Sequence, residues 1–315
     1  MATVTTTASR VRPTTPAALW VGLGVVYAVW GTTYLAIRVL SLVVPPMISQ
    51  GARFVLAGSI LAAVVLARYG PPALAVTRRQ LGSSMLLGVL FVVCGNGAVA
   101  SAETVVPSAL AALLVAAMPL WVVVLRFVAG REHPRRLTWF GTMLGFAGIA
   151  TLARPGADGG VRLWGIGLLL LATMCWATGV FLTPRLSLPA KPSVTTVYEM
   201  LTGGLMMLTI SVVTRQWQGF SMGDVPARAW VAFAYLTLLG SLVAYSVFGW
   251  LLQHAPVSLV TTYAFVNPVV AVALGWLILG ESVTPALLLG GALAVVGVAM
   301  VVRSERQEPI EGETV

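Results

Sequence analysis

The sequence predicts an all-α membrane protein of ten transmembrane helices, arranged as two inverted five-helix repeats. Three observations carry this expectation. Of 315 residues, 58% are hydrophobic and only 9% charged, against about 25% charged in soluble domains. Ten apolar segments are each long enough to cross about 30 Å of hydrocarbon. The landmarks of the first half then recur, in order, in the second.

The elements follow in turn. Residues 1–16 (MATVTTTASRVRPTTP) are polar and read as a disordered N-terminus. The apolar run 17–39 outlasts a signal-peptide core, and no small-residue cleavage site closes it, so it reads as a retained first span. Further spans are expected at 46–67, 80–101, 107–128, 137–153, 163–183, 194–213, 230–251, 257–279 and 285–302. Pro45-Pro46, Gly70-Pro71-Pro72, the run REHPRR (131–136), RPGADGG (154–160) and Pro189 with Pro192 separate them. Period-two alternation of the barrel type is absent, so the spans read as helices. The tail 304–315 is charged and reads as flexible and disordered.

The net charge of +9 raises the question of nucleic acid. The nineteen basic residues lie scattered through short loops without a basic stripe, which argues against that partner. Topology accounts for them better. With a cytoplasmic N-terminus, thirteen fall inside, among them Arg78, Arg79, Arg131, Arg135 and Arg136. Five fall outside: Arg38, Arg154, Arg162, Arg215 and Arg228. The excess inside places both termini in the cytoplasm. Cys94 and Cys175 lie in apolar runs with no ligand pattern and read as packing residues, so no disulfide or metal site is expected. His133 and His254 stand at loop ends, and no HExxH, GxSxG or P-loop occurs. The run GIGLLL (165–170) lacks the third glycine of a dinucleotide loop. No cofactor is expected. An intramembrane enzyme and a non-transporting sensor remain the alternatives to a carrier.

At a spacing of 149 residues Pro107 meets Pro256, Pro119 meets Pro268, and Glu132 meets Glu281. Gly141 meets Gly290, Gly148 meets Gly297 and Arg154 meets Arg303. Nearer the start of each half the spacing is 146, where Trp30 meets Trp176, Thr32 meets Thr178 and Arg53 meets Glu199. The repeats run over 17–153 and 163–303, with 154–162 as linker. Five helices per repeat force the halves into opposite orientations. The loops agree: Glu132 sits among basic residues, whereas Glu281 has none beside it. Inverted repeats mark secondary transporters, whose site lies between the halves near mid-membrane.

The stretches WGTTYLAIR (30–38), PP…ARF (45–54), GNGAVASAE (95–103), VPSALAALLVAAMPL (106–120) and TTYAFVNPVVAVALGWLILGES (261–282) resemble the EamA-domain transporters of the drug/metabolite transporter superfamily. The resemblance runs from about Ala17 to Arg303. It implies a ten-helix bundle of two inverted repeats in the bacterial inner membrane, and gradient-driven movement of small metabolites, usually export. Two departures stand out. The first-half loop reads GREH where a GE pair is usual, and Pro184 replaces the residue aligned with Arg38, whose role is left open.

Candidate site residues come from polar and aromatic groups inside the spans, which lipid tolerates where they face the bundle interior. Trp30 and Tyr34 are four apart on the first helix, and Tyr263 and Asn267 on the ninth. Asn96 and Glu103, two turns apart, share a face of the third. With Trp176, and with Met118, which meets Asn267 in the repeat, they are candidates for a substrate cavity. Simple helix bridging and packing are the alternatives. Glu103 stands near the outer boundary, where a solvated carboxylate and a site are both open. Arg53 and Glu199 are gate candidates in opposite leaflets, each about two turns deep, which makes direct pairing doubtful. Glu199 and Glu103 are also candidate proton acceptors. Pro119 and Pro268 each remove a backbone hydrogen bond in mid-helix, from the carbonyls of Val115 and Ala264, and are expected to kink their helices. Glu132 and Glu281 are expected to cap the helix that follows each. The glycine faces 141/145/148 and 290/297 are expected to pack helices closely. The expected partners are a small-molecule substrate, the lipid bilayer and protons, with the chain working as a monomer.

Overall fold

Proline and glycine set the helix ends. A computed structural model describes residues 16–131, 133–152 and 162–305. Glu132, Arg154, the expected linker as far as residue 161, the N-terminal fifteen residues and the tail beyond Glu305 lie outside them. In chain order the helices are α1 (Pro16–Ser41), α2 (Pro46–Tyr69), α3 (Arg78–Ala102), α4 (Ser108–Val128), α5 (Arg136–Leu152), α6 (Leu163–Arg185), α7 (Pro192–Val213), α8 (Ala227–His254), α9 (Val257–Val260 with Tyr263–Leu279) and α10 (Pro285–Glu305). Pro46 and Pro192 occupy first turns, where the missing N–H has no partner to lose. Thr77 and Gln80 form a reciprocal capping box at α3. Gly280, at φ 65°, ends α9 in the left-handed conformation that glycine adopts freely.

Among the described residues there is no strand. Eight helices are long and apolar enough to cross a membrane: α1, α2, α3, α4, α6, α7, α8 and α10. α5 has 17 residues, and the apolar part of α9 is the shorter Val266–Leu279. α10 continues to Glu305, slightly past the expected start of the tail.

α4 and α9 depart from the expected continuous helices. α4 stops at Val115 and restarts at Met118, and α9 breaks at Thr261–Thr262. Pro119 therefore falls in the first turn of a new helical segment instead of kinking the middle of one. A proline fits there because its N–H would be unused. Pro268 does lie inside its helix. α3 and α8 each contain a widened, π-helical stretch, Gly88–Gly97 and Leu236–Tyr245, at corresponding places in the two halves.

The bundle buries α4 most deeply, with 78% of its span enclosed against 39% for α2. Its alanine-rich first segment lets neighbours approach from every side, and it forms the centre of the largest apolar cluster. Outward-facing apolar residues such as Val212 and Val269 stay about two-thirds exposed, a surface suited to lipid tails. The closest helix pairs are α5 with α10 and α2 with α7. At the first, a Cβ added to Gly297 would stand 2.4 Å from the Gly145 nitrogen, and one on Gly148 2.5 Å from the Ala294 nitrogen. Only glycine permits that approach. Three further contacts come in matched pairs. α1 packs on α9 as α6 packs on α4, α3 on α6 as α8 on α1, and α3 on α7 as α8 on α2.

Candidate substrate cavity

α1, α2, α3, α4, α6 and α9 line a partly open cavity. Five of the seven sequence-predicted substrate contacts line it: Trp30, Tyr34, Asn96, Trp176 and Tyr263. So does Arg53. Val115, the residue just before the break in α4, completes part of the wall. Pro119 offers its carbonyl no N–H.

Arg53 is 3% exposed and held from three helices. Its Nε donates to Ser241 Oγ at 2.8 Å, and its terminal nitrogens donate to Gln50 Oε1 at 2.7 Å and Asn96 Oδ1 at 3.4 Å. Asn96 Nδ2 donates to the Phe91 carbonyl at 3.1 Å, inside the π-helical stretch of α3. Ser241 lies in the matching stretch of α8. Interrupted helices of this kind are frequent at functional sites because they re-aim side chains.

One end of the cavity is closed by rings. Trp30 packs against Phe248 at 4.9 Å, Tyr263 at 5.2 Å and Trp176 at 5.6 Å between centroids. Phe91 and Tyr245 extend the cluster. Phe91 and Phe248 also line a second, smaller pocket, together with Thr195, Thr196, Gln253 and Glu199. Glu199 is 4% exposed and accepts a hydrogen bond from the Tyr245 hydroxyl at 3.0 Å. Arg53 and Glu199 thus line separate pockets, each with its own partners. At the repeat spacings Asn96 corresponds to Tyr245 as Arg53 does to Glu199. The two buried charges are therefore met by equivalent side chains of the two halves.

Other expectations fare differently. Asn267 and Met118 do not line the cavity. Asn267 is 2% exposed, with Oδ1 unpartnered, and Met118 is packed among apolar side chains. Glu103 is fully buried, not solvated. It follows the last residue of α3, so the two-turn relation to Asn96 does not bring it to the cavity. Its backbone carbonyl accepts from Arg38 and its carboxylate oxygens have no hydrogen-bond partner. Glu281 caps a helix, but α4 of the other half and not the following α10. It accepts from the Ser108 and Ala109 amides at 2.8 and 3.1 Å, and from the Ser108 hydroxyl at 2.9 Å. Gly280 turns the chain so that the carboxylate meets those free amides.

Gln50, Ser241, Phe91, Tyr245 and Phe248 were not singled out from the sequence. For Tyr245 and Phe248 a signal existed: at the 149 spacing they correspond to Asn96 and Val99, both at the wall. Nothing in the sequence marks Ser241.

An apolar helical bundle with an aromatic internal cavity and a buried cation defines an α-helical membrane protein. Comparison with known proteins narrows this. The sequence profile of the EamA-like transporter family matches residues 17–154 and 163–303. The chain is 35% identical over 269 residues to the inner membrane transporter YedA of Escherichia coli, covering 84% of each. It is 28% identical to protein PecM of Dickeya dadantii, covering 90% of this chain and 94% of that one. A solved crystal structure with 20% sequence identity superposes with a TM-score of 0.66, over 94% of this chain and 100% of its own, so the fold is shared. The chain belongs to the EamA-like transporter family.

Proposed function

We propose that the protein is a secondary active transporter of the bacterial inner membrane, exporting a small metabolite, amino acid or drug-like compound by alternating access through the central cavity. The observation that carries this is a cavity walled by both halves of a bundle in which several helix contacts come in matched pairs. Such packing supports two inverted five-helix repeats, with α5 and α9 as the remaining two of ten spans. The name of the Escherichia coli relative supports the inner membrane. The basic-residue distribution supports cytoplasmic termini.

In this reading the aromatic cluster of Trp30, Phe91, Trp176, Tyr245 and Phe248 is the barrier between cavity and cytoplasm. Trp30, Tyr34, Asn96, Trp176 and Tyr263 contact the cargo. Arg53 and Glu199 serve opposite gates. Glu199 carries the coupling proton, as a carboxylate buried next to a hydroxyl in a pocket that the cargo reaches once the rings part. Flux into proteoliposomes, measured for a broad metabolite panel with and without a pH gradient, tests this. Gradient-dependent uptake of a panel member is expected. No gradient-dependent uptake of any of them overturns it.

A further inference from the structure

The reading that the cavity holds the cargo leaves the cargo's chemistry open. We infer that the cargo is a carboxylate with an aromatic or apolar body, its carboxylate paired with Arg53; the inference rests on that reading. Arg53 lines the cavity while only 3% exposed. A guanidinium stays charged and carries five N–H donors. Three are used, and each acceptor is neutral: Gln50, Ser241 and Asn96. Two remain without a protein acceptor. Among the described residues no carboxylate lies within ion-pair distance of it. Glu199 is committed to Tyr245 and lines the second pocket, and Glu103 does not line the cavity.

A buried charge without a counter-charge is unfavourable, and it is tolerated where a ligand supplies the opposite sign. The two spare N–H groups are available to donate charge-assisted hydrogen bonds to a carboxylate. A dianionic phosphate would call for a second cation, and the wall offers no other. A cationic cargo would meet Arg53 with like charge. The rest of the wall is uncharged and aromatic, with Trp30, Tyr34, Trp176 and Tyr263 suited to a flat body. Gln50, Ser241 and Asn96, on α2, α8 and α3, fix the guanidinium before cargo arrives, so little ordering is left for binding.

The test uses three probes of one shape and three charges: 2-naphthaleneacetate, 2-naphthaleneacetamide and 2-(2-naphthyl)ethylamine. Their affinities for the purified full chain are measured by calorimetry at neutral pH. The carboxylate is expected to bind at least about tenfold more tightly than the amide, as for a hydrogen-bonded charge pair, and the amine most weakly. Arg53→Gln is expected to erase the preference while leaving the amide's affinity within about twofold, and Arg53→Lys to retain part of it. Equal binding of the three probes to the wild type, or tightest binding of the amine, overturns the inference without recourse to any variant. So does an Arg53→Gln protein that keeps the carboxylate preference. Trp176→Ala separates the two claims. If it weakens all three probes while no charge preference exists, the cavity reading stands and the carboxylate assignment falls. If it leaves every affinity unchanged, the cavity reading itself fails, and this inference with it.

Discussion

At the scale of single residues, burial sorts candidates that the sequence could only place in order along the chain. Asn96 and Asn267 look alike in sequence, each a polar group inside an apolar span. The first meets Arg53 at the cavity wall and the second does not reach it. Asn96→Ala is expected to weaken cargo binding about tenfold by loosening Arg53, and Asn267→Ala to change affinity less than twofold; titration of the transported cargo checks both. Glu199→Gln keeps an acceptor for Tyr245 but cannot take up a proton. Its transport is expected to run at the same rate with or without a pH gradient, measured in proteoliposomes. Retained gradient dependence removes Glu199 from the coupling path. Glu103 is the residue where sequence reasoning had least purchase. Its position suggested a boundary, and only the fold reveals that the chain closes over it.

Among the elements, the helices were legible because their stops are chemical: proline, glycine and charged loops. Their interruptions were not. A break at Ala116–Ala117 or a π-helical stretch at Gly88–Gly97 leaves hydropathy unchanged, since both are written in the same apolar residues as the helix around them. The site inherits this limit. Trp30, Tyr34 and Trp176 sit on uninterrupted helices and could be placed by periodicity, whereas Met118 opens the segment that follows the break in α4. Glu281 shows a second limit, because a cap across the bundle joins residues 173 apart. Glu281→Gln weakens hydrogen bonds to two amides and a hydroxyl and is expected to lower stability by about 1–2 kcal/mol. Thermal unfolding in detergent, followed by near-ultraviolet circular dichroism, checks this. The α5–α10 contact makes a harsher demand. Gly297→Val pushes a side chain into the Gly145 backbone, and a loss of about 3 kcal/mol or more is expected from the same experiment.

Across the whole molecule, the two halves are alike in packing and unlike in the size of a few side chains. Around Glu199 stand Phe91, Tyr245 and Phe248; at the corresponding places around Arg53 stand Gly240, Asn96 and Val99. Large rings on one side fill the space that small residues on the other leave as cavity. At the repeat spacings the two halves thus differ in side-chain size around the two buried charges. Phe248→Val makes the two sides more alike and is expected to loosen the barrier, raising cargo leakage severalfold without a gradient in a vesicle efflux assay. The central claim is that one cavity is reached from both sides of the membrane. The direct measurement is labelling of Thr173→Cys, at the cavity wall, in a Cys94→Ala/Cys175→Ala background, by a membrane-impermeant maleimide. Right-side-out and inside-out vesicles are both expected to be labelled, and saturating cargo to slow both reactions. Labelling from one side only, with or without cargo, would contradict alternating access through this cavity.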